Sequence, residues 1–196
     1  MVSKGADRIT VGCIIMASGQ GKRYGGNKLM ALLKGLPLID CILRATDGLF
    51  DRRLVVTRHR DVEEYALSLG VEVLLHTRPE RSDTIRLGIE RMAGCSHCLF
   101  CMGDQPLIKR ESLEKILRAA QQEPERIWRV EAAGIPGTPV LFPQKFFSEL
   151  TALPTGEGGG YVIRNHLEEV SAVEADSYEL LDVDTPEDLK TVEKYL

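Results

Sequence analysis

Apolar residues in this chain follow two alternating patterns: short continuous runs rich in Val, Ile and Leu, and longer stretches in which they recur every three or four positions. The first pattern predicts buried strands at Ile9 to Met16, Arg53 to Thr57, Val71 to Leu75 and His97 to Met102. The second predicts the helices between them. Leu36 to Leu49 presents Leu38, Cys41, Ile42 and Ala45 on one face, with Pro37 in its first turn; Arg60 to Leu69 presents Val62, Tyr65 and Ala66 and stops at Gly70. A third helix starts with Ser82 as its cap, carries Ile85, Ile89 and Met92, and closes at Gly94. A fourth carries Leu113, Ile116, Leu117 and Ala120 and ends by Pro124.

This repetition predicts a three-layer α/β domain with crossover helices on both faces of a mainly parallel sheet. From Ile127 the pattern changes. Ile127 to Ala133 and Thr138 to Phe142 flank Gly134-Ile135-Pro136-Gly137, which predicts a hairpin and so a mixed sheet. Helices are expected near Pro143 to Leu150 and Gly159 to His166, strands near Glu169 to Val173 and Leu180 to Val183, and a last helix from Pro186 to Tyr195. Thr185 supplies a capping hydroxyl for that helix, and Glu187 and Asp188 place acids at its positive end. Neither a linker nor an internal repeat divides residues 1–196, so one domain is expected.

Composition narrows the ligands. The 25 Lys and Arg against 29 Asp and Glu give a net charge of -4, which argues against broad nucleic-acid binding and leaves room for a local basic pocket. Only Lys4 and Arg8 precede the first strand, and no apolar run reaches the roughly 20 residues of a membrane span. A cytoplasmic protein without a membrane partner is expected. Five cysteines, an odd number, argue against a disulfide framework. Cys95-x-x-Cys98-x-x-Cys101 has spacing that can seed a metal site, yet along a strand 98 and 101 face opposite ways, which favours buried free thiols.

The chemistry concentrates where the first strand meets Ser18-Gly19-Gln20-Gly21-Lys22-Arg23-Tyr24-Gly25-Gly26-Asn27-Lys28. Gly19 and Gly21 let the backbone turn with its N–H groups exposed, and Lys22, Arg23 and Lys28 add cations. Together they read as a cradle for several phosphates. The spacing matches neither a P-loop nor a dinucleotide-binding loop. Parallel sheets carry ligands beyond the C-terminal ends of their strands, so the loop after the fourth strand, with Asp104, and the turn carrying Asp184 can reach the same edge. Two carboxylates suit Mg²⁺. Each acid also has a local use, Asp104 capping a turn before Gln105-Pro106 and Asp184 supporting the last helix; Asp182 alternates with Asp184 and can support it or lie exposed.

The motifs Met16 to Lys28, Met102 to Ile108, Gly137 to Phe142 and Leu181 to Leu189, in this order, resemble the Rossmann-like nucleotidyltransferases, especially the molybdenum cofactor cytidylyltransferases. The resemblance implies a Rossmann-like fold and transfer of CMP from CTP to the terminal phosphate of molybdopterin, with Mg²⁺ as cofactor and a molybdoenzyme as recipient of the product. It assigns Gly19, Gly21, Arg23 and Lys28 to the triphosphate, Asp104 and Asp184 to the metal, and Ser82 and Thr84 to the base and sugar. Ala17-Ser18 looks like the small pair of cytidine-specific members rather than the glycine pair of guanosine-specific ones. Gly137, Thr138, Pro139 and Glu157 match segments near the acceptor. Glu157 stands in a glycine tract that lacks the following basic residue of the family pattern. Trp128 and Tyr161 are candidates to pack on a pterin, and His166 to meet an acceptor anion; ordinary packing is the competing use of each.

In that reaction an acceptor phosphate oxygen attacks the α-phosphorus and pyrophosphate leaves, so alignment and charge stabilisation by Arg23, Lys28, Asp104 and Asp184 do the work. Two alternatives share these motifs. One is a nucleotidyltransferase for another sugar or alcohol phosphate, and the other is a protein that binds and delivers the molybdenum cofactor without turnover.

Overall fold

A computed structural model describes residues 8–196; Lys4 lies outside the described residues. In chain order the elements are β1 (Val11–Ala17), β2 (Leu32–Leu33), β3 (Leu36–Pro37), α1 (Asp40–Ala45), β4 (Arg52–Thr57), α2 (Arg60–Ser68), β5 (Glu72–Leu75), α3 (Arg81–Arg91), β6 (His97–Met102) and α4 (Arg110–Gln122). The second part adds β7 (Ile127–Ala132), β8 (Ile135–Pro143), α5 (Phe147–Thr151), α6 (Gly160–Asn165), β9 (Val170–Glu174) and α7 (Pro186–Val192). The main sheet runs β5-β4-β1-β6-β8-β7-β9. β8 pairs antiparallel with β6 and β7, and the other pairings are parallel. This is a Rossmann-like α/β domain with a mixed, mostly parallel central sheet.

Side chains alternate across the sheet and divide the core. Cys13, Ile15 and Ala17 of β1 pack with Val62 and Ala66 of α2 and Leu113 and Ile116 of α4. Ile14 points the other way, into a layer with Ile85, Ile89 and Met92 of α3. The cysteines divide in the same manner: Cys95 and Cys98 join the α3 layer, whereas Cys101 joins Cys13 in the opposite one, at 3.8 Å between sulfurs. All five cysteines are free, and burial pushes the Cys13, Cys95 and Cys98 thiols up. The Cys95-Cys98-Cys101 spacing therefore builds no metal site.

The hairpin turn of β7 and β8 is Ala133-Gly134, both at positive φ, so Ile135, Pro136 and Gly137 belong to β8 and not to the expected turn; the structure departs further from the sequence pattern in two segments. Leu36 and Pro37 are not the start of a helix: they pair with Leu32 and Leu33 across a tight turn in which Lys34 and Gly35 both take positive φ. Such a two-residue turn matches strand twist and ends a hairpin, so the helix begins only at Asp40. Leu180 to Val183 forms no strand. Ser177–Leu180 is a 3-10 turn, and the extended chain beyond it donates from Val183 N–H to the Asp104 carbonyl at 2.9 Å. That bond fastens the segment across the end of the sheet. Among the described residues no helix is long and apolar enough to cross a membrane.

Candidate active site

β1 ends at the loop whose shape depends on Gly21. Its φ is +58°, and its carbonyl accepts from the N–H groups of Tyr24 and Gly25, each at 3.0 Å. A Cβ at Gly21 would lie 2.1 Å from the Gly26 carbonyl oxygen, whereas one at Gly19 meets nothing within 4 Å. Gly21→Ala is therefore expected to weaken nucleoside triphosphate binding at least about tenfold, and Gly19→Ala much less, because only the former displaces backbone. Calorimetric titration of both variants with one nucleotide checks this contrast.

Lys28 follows the loop in a short 3-10 turn capped by Asn27, whose side chain accepts from Leu29 N–H. The turn buries Lys28 and directs its ammonium at two carboxylates. Nζ lies 2.6 Å from Asp104 Oδ2 and 2.8 Å from Asp184 Oδ1, and Arg23 reaches Asp184 Oδ2 at 2.7 Å. Burial opposes the Lys28 charge, but the bonds to Asp104 and Asp184 outweigh it and hold its pKa above the usual value. Lys28, against residual burial, holds the Asp184 carboxyl below its own. The Asp184 turn is set by a capping box in which the Asp188 carboxylate accepts from Asp184 N–H at 3.0 Å and Thr185 N–H at 2.8 Å.

A second polar chain lies beside this knot. Thr138 Oγ1 donates to Gln105 Oε1 at 2.7 Å, and Gln105 in turn bonds the Asp182 side chain. Loss of water contact, and then the charge of Asp104, push the Asp182 carboxyl up despite the Gln105 bond. Two cavities meet here. One of about 500 Å³ is lined by the glycine loop, Lys28, Pro79, Glu80, Arg81 and Thr84; the other, of about 450 Å³, has Phe100, Val140 and Phe142 among its walls and Gln105, Thr138 and Asp182 among its polar groups. Met16, Arg23, Arg81, Met102, Asp104 and Asp184 line both.

Of the residues expected to bind nucleotide, Ser18, Gly19, Gly21, Arg23, Lys28 and Thr84 line the first cavity. Ala17 does not: its side chain is in the core. Ser82 is not a helix cap, because Glu80 precedes α3; Ser82 lies buried within the first turn and accepts from Gly156 N–H at 3.3 Å. It anchors the glycine tract. Of the acceptor candidates only Thr138 lines the second cavity. Gly137 packs against Leu180, Pro139 is absent from the lining, and Glu157 pairs with Arg164 at 3.0 Å. Trp128 is buried in the core and donates to the Glu123 carbonyl; Tyr161 lies under Arg164, and His166 bonds Glu149 at 3.0 Å. None of these three lines either cavity.

Residue patterns alone missed Arg81, Gln20 and the Pro79-Glu80 wall. A signal for Arg81 existed, since a cation in the first turn of a helix opposes the dipole and needs another reason to be there.

Comparison with known proteins places these features in a family. The molybdenum cofactor guanylyltransferase of Pseudomonas aeruginosa is 34% identical over 124 residues, 62% of this chain and 62% of its own length. The 2-C-methyl-D-erythritol 4-phosphate cytidylyltransferase of Bacillus mycoides is 28% identical over 120 residues, 56% of this chain and 53% of its own. The chain thus spans between half and two thirds of the length of these relatives. The crystal structure of Rv0371c from Mycobacterium tuberculosis superposes with a TM-score of 0.84 at 21% identity, covering 95% of this chain and 100% of that one. A manganese complex of that protein superposes with a TM-score of 0.80 at 20% identity, covering 95% and 100%.

These names overturn the pairing of CTP with molybdopterin and the resemblance to cytidylyltransferases of the molybdenum cofactor. The relatives named for the molybdenum cofactor are guanylyltransferases, and those named for cytidylyl transfer act on methylerythritol phosphate. The physical reason is visible at Ala17-Ser18, on which the preference for CTP rested. The Ala17 methyl is buried, and the Ser18 hydroxyl, although it lines the cavity, is already held by the Val56 carbonyl at 3.1 Å and His76 at 2.8 Å, so the pair leaves no free polar group for choosing a base. The model of the MobA-like NTP transferase domain matches residues 13–171, most of the chain, and the protein belongs to that family.

Proposed function

We propose that the protein transfers a nucleoside monophosphate from a nucleoside triphosphate to a phosphate-bearing acceptor, with GTP and the molybdenum cofactor as the favoured pair. The observation that carries this reading is the junction of two cavities at Asp104 and Asp184, with Lys28 joining both carboxylates. The cationic loop suits a triphosphate, and the aromatic wall of the second cavity suits a flat heterocycle better than a polyol. An acceptor phosphate oxygen forms the new bond to the α-phosphorus as the bond to pyrophosphate breaks, and no protein nucleophile is required. Lys22, Arg23 and Lys28 oppose the charge that collects on the departing pyrophosphate.

The donor set also fits a divalent ion. Asp104 Oδ1 is buried and has no hydrogen-bond partner among the described residues, which is costly for a carboxylate unless a cation uses it. Asp104 and Asp184 would hold Mg²⁺, or Mn²⁺ as in the structural neighbour's complex, and such an ion neutralises phosphate charge when bound.

A second reading, CTP with an alcohol phosphate, is favoured by the methylerythritol phosphate cytidylyltransferase relatives. Pyrophosphate release measured with GTP, CTP, ATP and UTP, each against molybdopterin and methylerythritol phosphate, separates the two. GTP with molybdopterin is expected to turn over fastest, by about tenfold or more. Nucleotide binding without release in any pairing would sink both readings and favour a delivery protein.

A further inference from the structure

Arg81 is a cation without a use in the folded chain. It is exposed in the first turn of α3, where the helix dipole disfavours it, and it makes no hydrogen bond or ion pair with any described residue. Its position is nevertheless built. A Cβ on Gly158 would lie 2.9 Å from Arg81 Cδ, so the glycine tract leaves room for the arginine stem. The tract itself is tied down where Gly156 N–H meets Ser82, one residue after Arg81.

An anion entering the second cavity has few cations to meet. That cavity is lined by Asp104, Asp182 and Asp184, which repel a phosphate, and its lining cations are Arg23 and Arg81. Arg23 is bonded to Asp184, while Lys22 and Lys28 line the nucleotide cavity only. Arg81 alone of the cations shared by the two cavities is uncommitted. A guanidinium can grip two phosphate oxygens at once, which orients as well as attracts.

We propose that Arg81 binds the phosphate monoester of the acceptor and holds it beside the nucleotide. The tract from Gly156 to Tyr161 carries no basic residue of its own, and Arg81 supplies a cation from the neighbouring helix. This rests on the transfer reading above.

The test compares wild type, Arg81→Gln and Arg81→Lys in calorimetric titrations with GTP, with CTP and with phenyl phosphate, a monoester carrying a flat apolar body. Arg81→Gln is expected to lose about tenfold or more in phenyl phosphate affinity while nucleotide affinities stay within about twofold. Arg81→Lys is expected to recover part of the loss, and thermal unfolding to be unchanged in both variants. In turnover, the same Gln variant should raise acceptor KM and leave nucleotide KM unaltered. An equal fall in nucleotide affinity, unchanged phenyl phosphate binding, or no phenyl phosphate binding by wild type would each overturn the proposal. Failure of the transfer reading shows separately, as absent pyrophosphate release by wild type.

Discussion

Asp104→Asn is expected to lower pyrophosphate release by about 10²–10³-fold while the protein stays folded. Asn keeps the size and shape of the side chain, and the Asp104 backbone carbonyl still accepts from Val183 N–H, so the C-terminal segment stays in place. Lys28 retains Asp184 as its partner at 2.8 Å. The stability cost is one charge-assisted bond, about 1–3 kcal/mol. What disappears is a negative oxygen at the junction of the two cavities, including Oδ1, which no described group satisfies. Steady-state turnover beside urea unfolding of the same sample checks both halves; turnover within about tenfold of wild type would remove Asp104 from the chemistry.

Lys28→Met is expected to damage stability and binding together. The buried ammonium sits between two carboxylates, and removing it leaves Asp104 and Asp184 facing each other with Arg23 as the remaining bonded cation. Breaking a buried pair costs about 3–5 kcal/mol, and the 31% exposure of the Asp184 side chain reduces this to about 2–3 kcal/mol. The pH dependence has a definite sign. In wild type Asp184 is held below 3.8, so its contribution is fully present above that pH and is lost as pH falls through the lower folded value. Lys28 is held above 10.5, so its contribution is fully present below that pH and is lost as pH rises through the higher folded value. The gap between wild type and variant should therefore be widest from about pH 5 to 9 and narrow at both extremes. Denaturant unfolding at pH 7 and pH 3 measures it. An equal gap at both pH values would show that Lys28 stabilises by packing and not by charge. Triphosphate affinity should fall about tenfold or more with the same substitution.

Much of the architecture is legible in local patterns. His97 to Met102 reads as a strand and is one, because its apolar run is buried on both faces and has no competing helical period. Alternation along that strand also separates Cys98 from Cys101, and the two thiols do lie in opposite layers of the core. Local pattern fails where a distant partner decides the outcome. Leu180 to Val183 has strand character, but the carbonyl it meets belongs to a loop, and one bond does not make a ladder. Ser82 has every property of a helix cap, yet its hydroxyl is taken by Gly156 N–H, far along the chain.

The site divides in the same way. Residue type and spacing by themselves determined a glycine-rich, cationic loop after β1 and an acid, Asp104, after β6, because backbone turns and charge types are local properties. Only the tertiary structure decided that Lys28 joins Asp104 to Asp184, that Ala17 turns into the core, and that Arg81 lines both cavities. Those facts depend on which loops the parallel sheet carries to one edge and on how a glycine tract lies over α3. Both are set by packing between segments remote in sequence, which no short window of residues contains.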